Sequence, residues 1–103
     1  MADFLIHSSA SHVSVTHHIS VAEASNIGQG KWYLNRVKVN SEKGLGLGTR
    51  LLQKLLQALQ ERGDFREVVV EPGGYGSDIK KLVNFYEKNG FVKHPEGYWT
   101  WQA

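Results

Sequence analysis

Hydrophobic and polar positions alternate along HVSVTHHISV, His12 to Val21. Val13, Val15, His17, Ile19 and Val21 share one face, and His12, Ser14, Thr16, His18 and Ser20 share the other. That period of two predicts one strand with a single buried face. DFLI, Asp3 to Ile6, predicts a shorter strand ahead of it. The polar stretch ASNIGQGK reads as a turn, and KWYLNRVKV, Lys31 to Val39, as a further strand. The period then changes. Leu47, Leu51, Leu52, Leu55, Leu56 and Leu59 follow helical spacing, with Arg50, Gln53, Lys54, Gln57 and Gln60 on the opposite side. Gly63 is placed to stop that helix. FREVVVE, Phe65 to Glu71, has three adjacent valines, the pattern of a strand covered on both faces. After the loop PGGYGS, Asp78 can cap a second helix that runs to Asn89. Ile79, Leu82, Val83 and Phe85 or Tyr86 would face inward, and Gly90 would end it. FVKH, PEG and YWTW form a closing hairpin, Phe91 to Trp101. The order predicts an α+β fold: a mixed, mostly antiparallel twisted sheet with one parallel pair and two main helices.

Length and composition narrow the reading. The chain has 103 residues, enough for one domain, 1–103. It has no cysteine, which removes disulfides, thiolate metal sites and a cysteine nucleophile and fits a reducing cytoplasm. No apolar run approaches the ~20 residues that span a bilayer, and MADFLIHSS lacks the layout of a signal peptide. Twelve basic against ten acidic residues give a formal charge of +2, no strong nucleic-acid signal. His17 and His18 are neighbours in a predicted strand and point to opposite faces, so they cannot grip one metal ion together. No metal is expected.

KGLGLGTRLLQKLL, Lys43 to Leu56, carries the chemistry. Three glycines at alternate positions run into a helix, although glycine is a poor helix former. Glycine lets backbone N–H groups approach an anion without a Cβ in the way. The helix start supplies unpaired N–H groups and roughly half a positive charge, and Lys43 adds a full one. A phosphate or pyrophosphate is the natural guest. A Walker loop would need a lysine after the last glycine, where Thr49 stands; a dinucleotide fingerprint needs a different glycine spacing. A glycine-rich turn with no ligand is the plain alternative.

Two stretches of the chain, taken together, resemble the GNAT superfamily of acyl-CoA-dependent N-acetyltransferases. VKVNSEKGLGLGTRLLQ is similar to the family's acetyl-CoA signature, with Lys43, Gly46 and Gly48 at the matching positions and lysine in place of the usual arginine or glutamine. LVNFYEKNGF, Leu82 to Phe91, is similar to the family's FYEK-x-GF segment. One strand and one loop separate the two, as in the family, and the match spans roughly residues 32–101. The resemblance implies that amides of Lys43, Gly44, Leu45, Gly46, Leu47, Gly48 and Thr49 hold the diphosphate of acetyl-CoA. It also implies that the backbone of Val37, Lys38 and Val39, on a strand splayed from its parallel neighbour, pairs with the pantetheine arm.

Direct acetyl transfer needs a neutral amine, an oxyanion donor and a proton for the leaving thiolate. The resemblance makes Tyr86 the general acid, and core packing is its structural alternative. The backbone N–H of Val39 or Val37 is expected at the oxyanion. No acid stands between Tyr33 and Val39, so Glu71 is the first choice of base and Glu23 the second; either could be a solvated charge. Ser77 and Asp78 stand near where the family often has an asparagine, although capping alone would explain Asp78; His94 could approach the acceptor side, although a turn histidine is usually just solvated. Nothing before Lys31 reads as the two helices that family members carry between their first strands. The acceptor side is therefore expected to be open, with Pro72 to Gly76 as part of its wall, suited to a protein lysine. A non-catalytic acyl-CoA-binding or interaction module is the rival reading, and a nucleotide-binding regulator a third. Tryptophans of the final strand offer a homodimer interface if they are exposed.

Overall fold

The computed structural model describes residues 4–17, 20–38, 46–71 and 79–102. Seven strands and two helices follow one another: β1 (Leu5–Ser8), β2 (His12–His17), β3 (Ser20–Gly28), β4 (Lys31–Lys38), α1 (Leu47–Gln60), β5 (Glu67–Val70), α2 (Ile79–Lys88), β6 (Val92–Lys93) and β7 (Trp99–Gln102). They form a single sheet in the order β1-β2-β3-β4-β5-β7-β6. Only β4 and β5 pair in parallel, across the α1 crossover; every other neighbouring pair is antiparallel. The expected mixed sheet with two helices is present.

The long strand expected from His12 to Val21 is two strands. His17 pairs with Ser20, Val15 with Ala22 and Val13 with Ala24. The buried face therefore switches from odd positions in β2 to even positions in β3, where Ser20, Ala22 and Ala24 are buried. Continuous alternation concealed that reversal. The supposed turn ASNIGQGK belongs largely to β3, and the turn itself is Gln29–Gly30, with Gln29 at φ 57° and Gly30 at φ 79°.

The core lies on one face. Val13, Val15, Ala22, Ala24, Trp32, Leu34 and Val68 meet the six leucines predicted for α1, all of them buried. At ~1.5–3 kcal/mol for each fully buried leucine, this stripe is the largest stabilising contribution the sequence offers. Tyr86 of α2, Phe91, Val70 and Trp99 join the same cluster. Both helices thus pack on this face: the α1 leucines and Tyr86 share one cluster, with Leu82, Val83 and Phe85 against it. The other face, carrying Tyr33, Val69 and Thr100, is half-buried and no described helix covers it. β5 is thus covered fully on one side only, against expectation: Val68 and Val70 are buried and Val69 is not. The tryptophans of β7 also turn inward. Trp99 is buried and Trp101 packs 5.9 Å from the Phe65 ring, so neither offers the exposed interface envisaged from sequence.

α1 ends at Gln60 with a right-handed Glu61, three residues before Gly63. Beyond it, the Arg62 guanidinium grips the chain. It donates to Ser8 Oγ (2.7 Å), to the Ser9 carbonyl (2.8 Å) and twice to the Asp64 carboxylate, and it lies 4.9 Å over the Trp32 ring. This ties the edge strand β1 to the α1–β5 connection. Among the described residues, no helix is long and apolar enough to cross a membrane.

Candidate functional site

β4 and β5 separate part-way along. Their ladder runs Lys31–Glu67, Trp32–Val68 and Tyr33–Val69 and then stops, although β4 continues to Lys38. On its other side β4 carries a bulge. Glu23 faces Arg36 and Ala24 faces Leu34, which leaves Asn35 unmatched, with its side-chain amide donating to Ser25 Oγ at 2.6 Å. A bulge bends its strand and increases the local twist, which turns the second half of β4 away from β5. Residues 34–38 therefore present an edge without a strand partner on that side. An extended ligand with alternating donors and acceptors can pair with such an edge. Val37, half-buried, and Lys38, exposed, lie on it; Val39 lies outside the described residues.

α1 is the next described element after β4 along the chain. Gly46 is its N-cap at φ 70°, ψ 19°, with no side-chain cap and no acidic residue in the first turn. The first amide bonded within this helix is that of Arg50, which donates to the Gly46 carbonyl at 3.0 Å. The amides of Leu47, Gly48 and Thr49 have no acceptor within the helix, as at any helix start. Leu47 is buried, so its side chain anchors the turn. A Cβ on Gly46 would touch nothing within 4 Å; what demands glycine is the positive φ. Lys43, Gly44 and Leu45 lie outside the described residues.

Tyr86 reaches the same region from α2. The helix closes through Gly90 at φ 90°, where the Phe91 N–H donates to the Tyr86 carbonyl (3.0 Å) and the Gly90 N–H to the Glu87 carbonyl (3.1 Å). This pair of bonds around a left-handed glycine is a Schellman motif, and its hydrophobic contact is Phe91 against Tyr86, ring centres 5.4 Å apart. Phe85 flanks Tyr86 at 5.6 Å. Burial, and after it the nearby Tyr33, pushes the Tyr86 phenol above its usual value of 10.0. The phenol is therefore a protonated donor at neutral pH.

On the open face, a cavity of about 270 Å³ is lined by Ile27, Lys31, Tyr33, Val69, Glu71 and Tyr98. Glu71 succeeds the last residue of β5 and is exposed. Tyr98 is stacked on His94, ring centres 4.3 Å apart and 11° from parallel, while His94 Nδ1 accepts from the Glu96 N–H at 3.1 Å. Sequence reasoning named Glu71 and Tyr86 but passed over Tyr33, Tyr98 and Lys31. The available signal was parity: Tyr33 and Tyr98 each adjoin a tryptophan, Trp32 or Trp99, that faces the core, so each must face the other side.

The sequence model of the acetyltransferase (GNAT) family matches residues 13–91. The chain belongs to the GNAT acetyltransferase family. No curated protein matches it in sequence. Solved structures share the GNAT fold at low identity. The anti-CRISPR protein AcrVA5 is 18% identical with a TM-score of 0.72, over 89% of this chain and 99% of that one. The PaiA N-acetyltransferase of Thermoplasma acidophilum, solved with coenzyme A, is 17% identical with a TM-score of 0.68, over 89% and 60%. The aminoglycoside 6'-N-acetyltransferase of Enterococcus faecium is 17% identical with a TM-score of 0.63, over 90% and 75%.

Other polar residues of this GNAT chain serve the fold. Glu23 has both carboxylate oxygens engaged, one 3.0 Å from Arg36 Nε and one 3.6 Å from His12 Nε2, so it is the centre of a charged cluster on the open face. The His17 ring lies 5.0 Å from that of Phe4. No group of three acidic or histidine side chains suited to a metal occurs among the described residues. His18, the 72–76 segment, Ser77 and Asp78 lie outside them.

Proposed function

We propose that residues 1–103 form one acetyltransferase domain that moves an acetyl group from acetyl-CoA to a primary amine, by direct attack. The observation that carries this reading is an unpaired β4 edge at residues 34–38 followed, as the next described element, by a helix with an uncapped start at Gly46. The edge suits an extended amide-bearing arm, and the helix start suits its diphosphate. The residues fit the co-substrate: Gly46 holds a backbone conformation that keeps side chains away, and the first turn carries no acid to repel an anion.

Within that frame Glu71 takes a proton from the incoming ammonium, leaving a neutral nitrogen to attack the acetyl carbonyl. The backbone N–H of Val37 or of Val39 donates to the oxygen as it becomes negative. The attacking nitrogen, cationic after bond formation, releases its second proton to solvent; Tyr86 gives its phenolic proton to the sulfur as the carbon–sulfur bond breaks, and solvent reprotonates the phenolate. The products are an N-acetyl amide and free coenzyme A thiol. The acceptor we propose is a lysine of a protein, because the face that carries the cavity is uncovered by described helices and admits a bulky partner. The test is incubation with acetyl-CoA and amine acceptors, reading thiol release together with a mass gain of one acetyl group on the acceptor. Binding of acetyl-CoA without turnover of any amine would leave a binding module instead.

A further inference from the structure

The cavity on the open face is electrically bipolar. Lys31 stands at one end and Glu71 at the other, with Ile27 and Val69 as apolar wall between them and Tyr33 and Tyr98 alongside. Lys31 sits level with Glu67 in the parallel ladder, so Glu71 lies four residues further along β5. At about 3.3 Å per residue, the two backbone positions are roughly 13 Å apart along the sheet. The Glu67 carboxylate, level with Lys31 in the ladder, accepts from Thr100 Oγ1 at 2.9 Å and forms no ion pair with Lys31. Lys31 makes no ion pair among the described residues. Its ammonium is left for something that enters the cavity.

A single ammonium at the Glu71 end meets one carboxylate. A polycation is disfavoured, because its second charge would meet Lys31. Conversely, an acidic group carried some 7–10 Å from the reacting amine, the distance spanned by two or three extended residues, would reach Lys31. We infer that Lys31 is a specificity-determining residue, and that this chain selects a lysine accompanied by an acidic residue two or three positions away in the acceptor polypeptide. The inference rests on the acetyltransferase reading of the same site and adds to it which lysines are taken.

Capped single-lysine peptides test this directly, one series with glutamate three residues from the lysine and one with arginine there. Wild type is expected to favour the glutamate series about fivefold in kcat/KM, the scale of one partly exposed ion pair. That preference should shrink in high salt. Lys31→Glu should reverse it, and Lys31→Gln, which adds no second acid opposite Glu67, should abolish it without reversal. Equal turnover of both series by wild type, an unchanged ratio in both variants, or binding of coenzyme A with no peptide acetylated would each overturn the inference. Calorimetry of coenzyme A on the same samples separates the two readings. No coenzyme A binding means that the acetyltransferase reading has failed, whereas binding with indifferent peptide ratios defeats only the role of Lys31.

Discussion

The Phe91 N–H donates to the Tyr86 carbonyl at 3.0 Å while the two rings pack 5.4 Å apart. One left-handed residue, Gly90, makes both contacts possible, and a Cβ there would come 3.1 Å from Trp101 Nε1. The orientation of the proposed general acid therefore depends on a glycine outside the reaction centre. Gly90→Ala should cost ~1–2 kcal/mol of stability from the left-handed conformation alone. At about 4–8 °C per kcal/mol for a domain of this size, thermal unfolding should show a clear fall in Tm. Turnover should drop further than stability does at a temperature where the variant is folded.

Tyr86→Phe removes the proton donor and keeps the ring. It should lower kcat by ~10²–10⁴ and leave acetyl-CoA affinity nearly unchanged. The raised pKa also fixes a sign. A phenol whose folded value lies above its unfolded value of 10.0 contributes no instability below pH 10. Above that, the unfolded chain loses its proton first, so stability falls as pH rises towards the folded value. Denaturant titrations above pH 10 should show that loss in wild type and less of it in Tyr86→Phe.

Arg62 joins β1 to the far end of α1 through Ser8 and the Ser9 carbonyl. Arg62→Ala should lower Tm by at least about 6 °C, with hydrogen exchange rising first in β1, since charged hydrogen bonds are worth ~1.5–3 kcal/mol. The hydrogen bond from Arg62 holds the Asp64 carboxyl below its usual value. That part of the clamp is present above the ordinary carboxylate range and is lost as pH falls through the lowered value. Asp64→Asn should therefore flatten the acid limb of stability without loosening β1 as far as Arg62→Ala does.

Gly46→Val sets a β-branched residue at φ 70°, a conformation such residues avoid. The first turn of α1 must then rebuild, and coenzyme A affinity should fall by roughly tenfold or more, equivalent to about 1.4 kcal/mol. The rest of α1 is held by its buried leucines, so the far-ultraviolet spectrum should change little. Unaltered affinity would show that the turn does not contact the ligand.

The helices and β4 were legible because leucine periodicity and the strand Lys31–Lys38 state their burial in the sequence itself. The reversal after His17 was not, because Val13, Val15, His17, Ile19 and Val21 alternate without a break and Ala22 and Ala24 are small enough to pass as loop. Tyr86 was legible as a family position, but its fixation by Gly90 and Phe91 depends on backbone bonds that no residue spacing reveals. The cavity was least legible. Ile27, Lys31, Tyr33 and Tyr98 come from β3, β4 and the turn before β7, which meet only when the sheet is assembled, and Lys31 reads as an ordinary surface charge until it is seen to line the same cavity as Glu71.

The central claim is that the start of α1 holds a diphosphate. Calorimetric titration of the wild-type protein with acetyl-CoA, and separately with S-acetylpantetheine, which shares the thioester arm but lacks the diphosphate, tests it most directly. Several charge-assisted amide contacts should make acetyl-CoA the tighter ligand by roughly 100-fold. Equal affinity for the two, or heat from neither, would contradict the account.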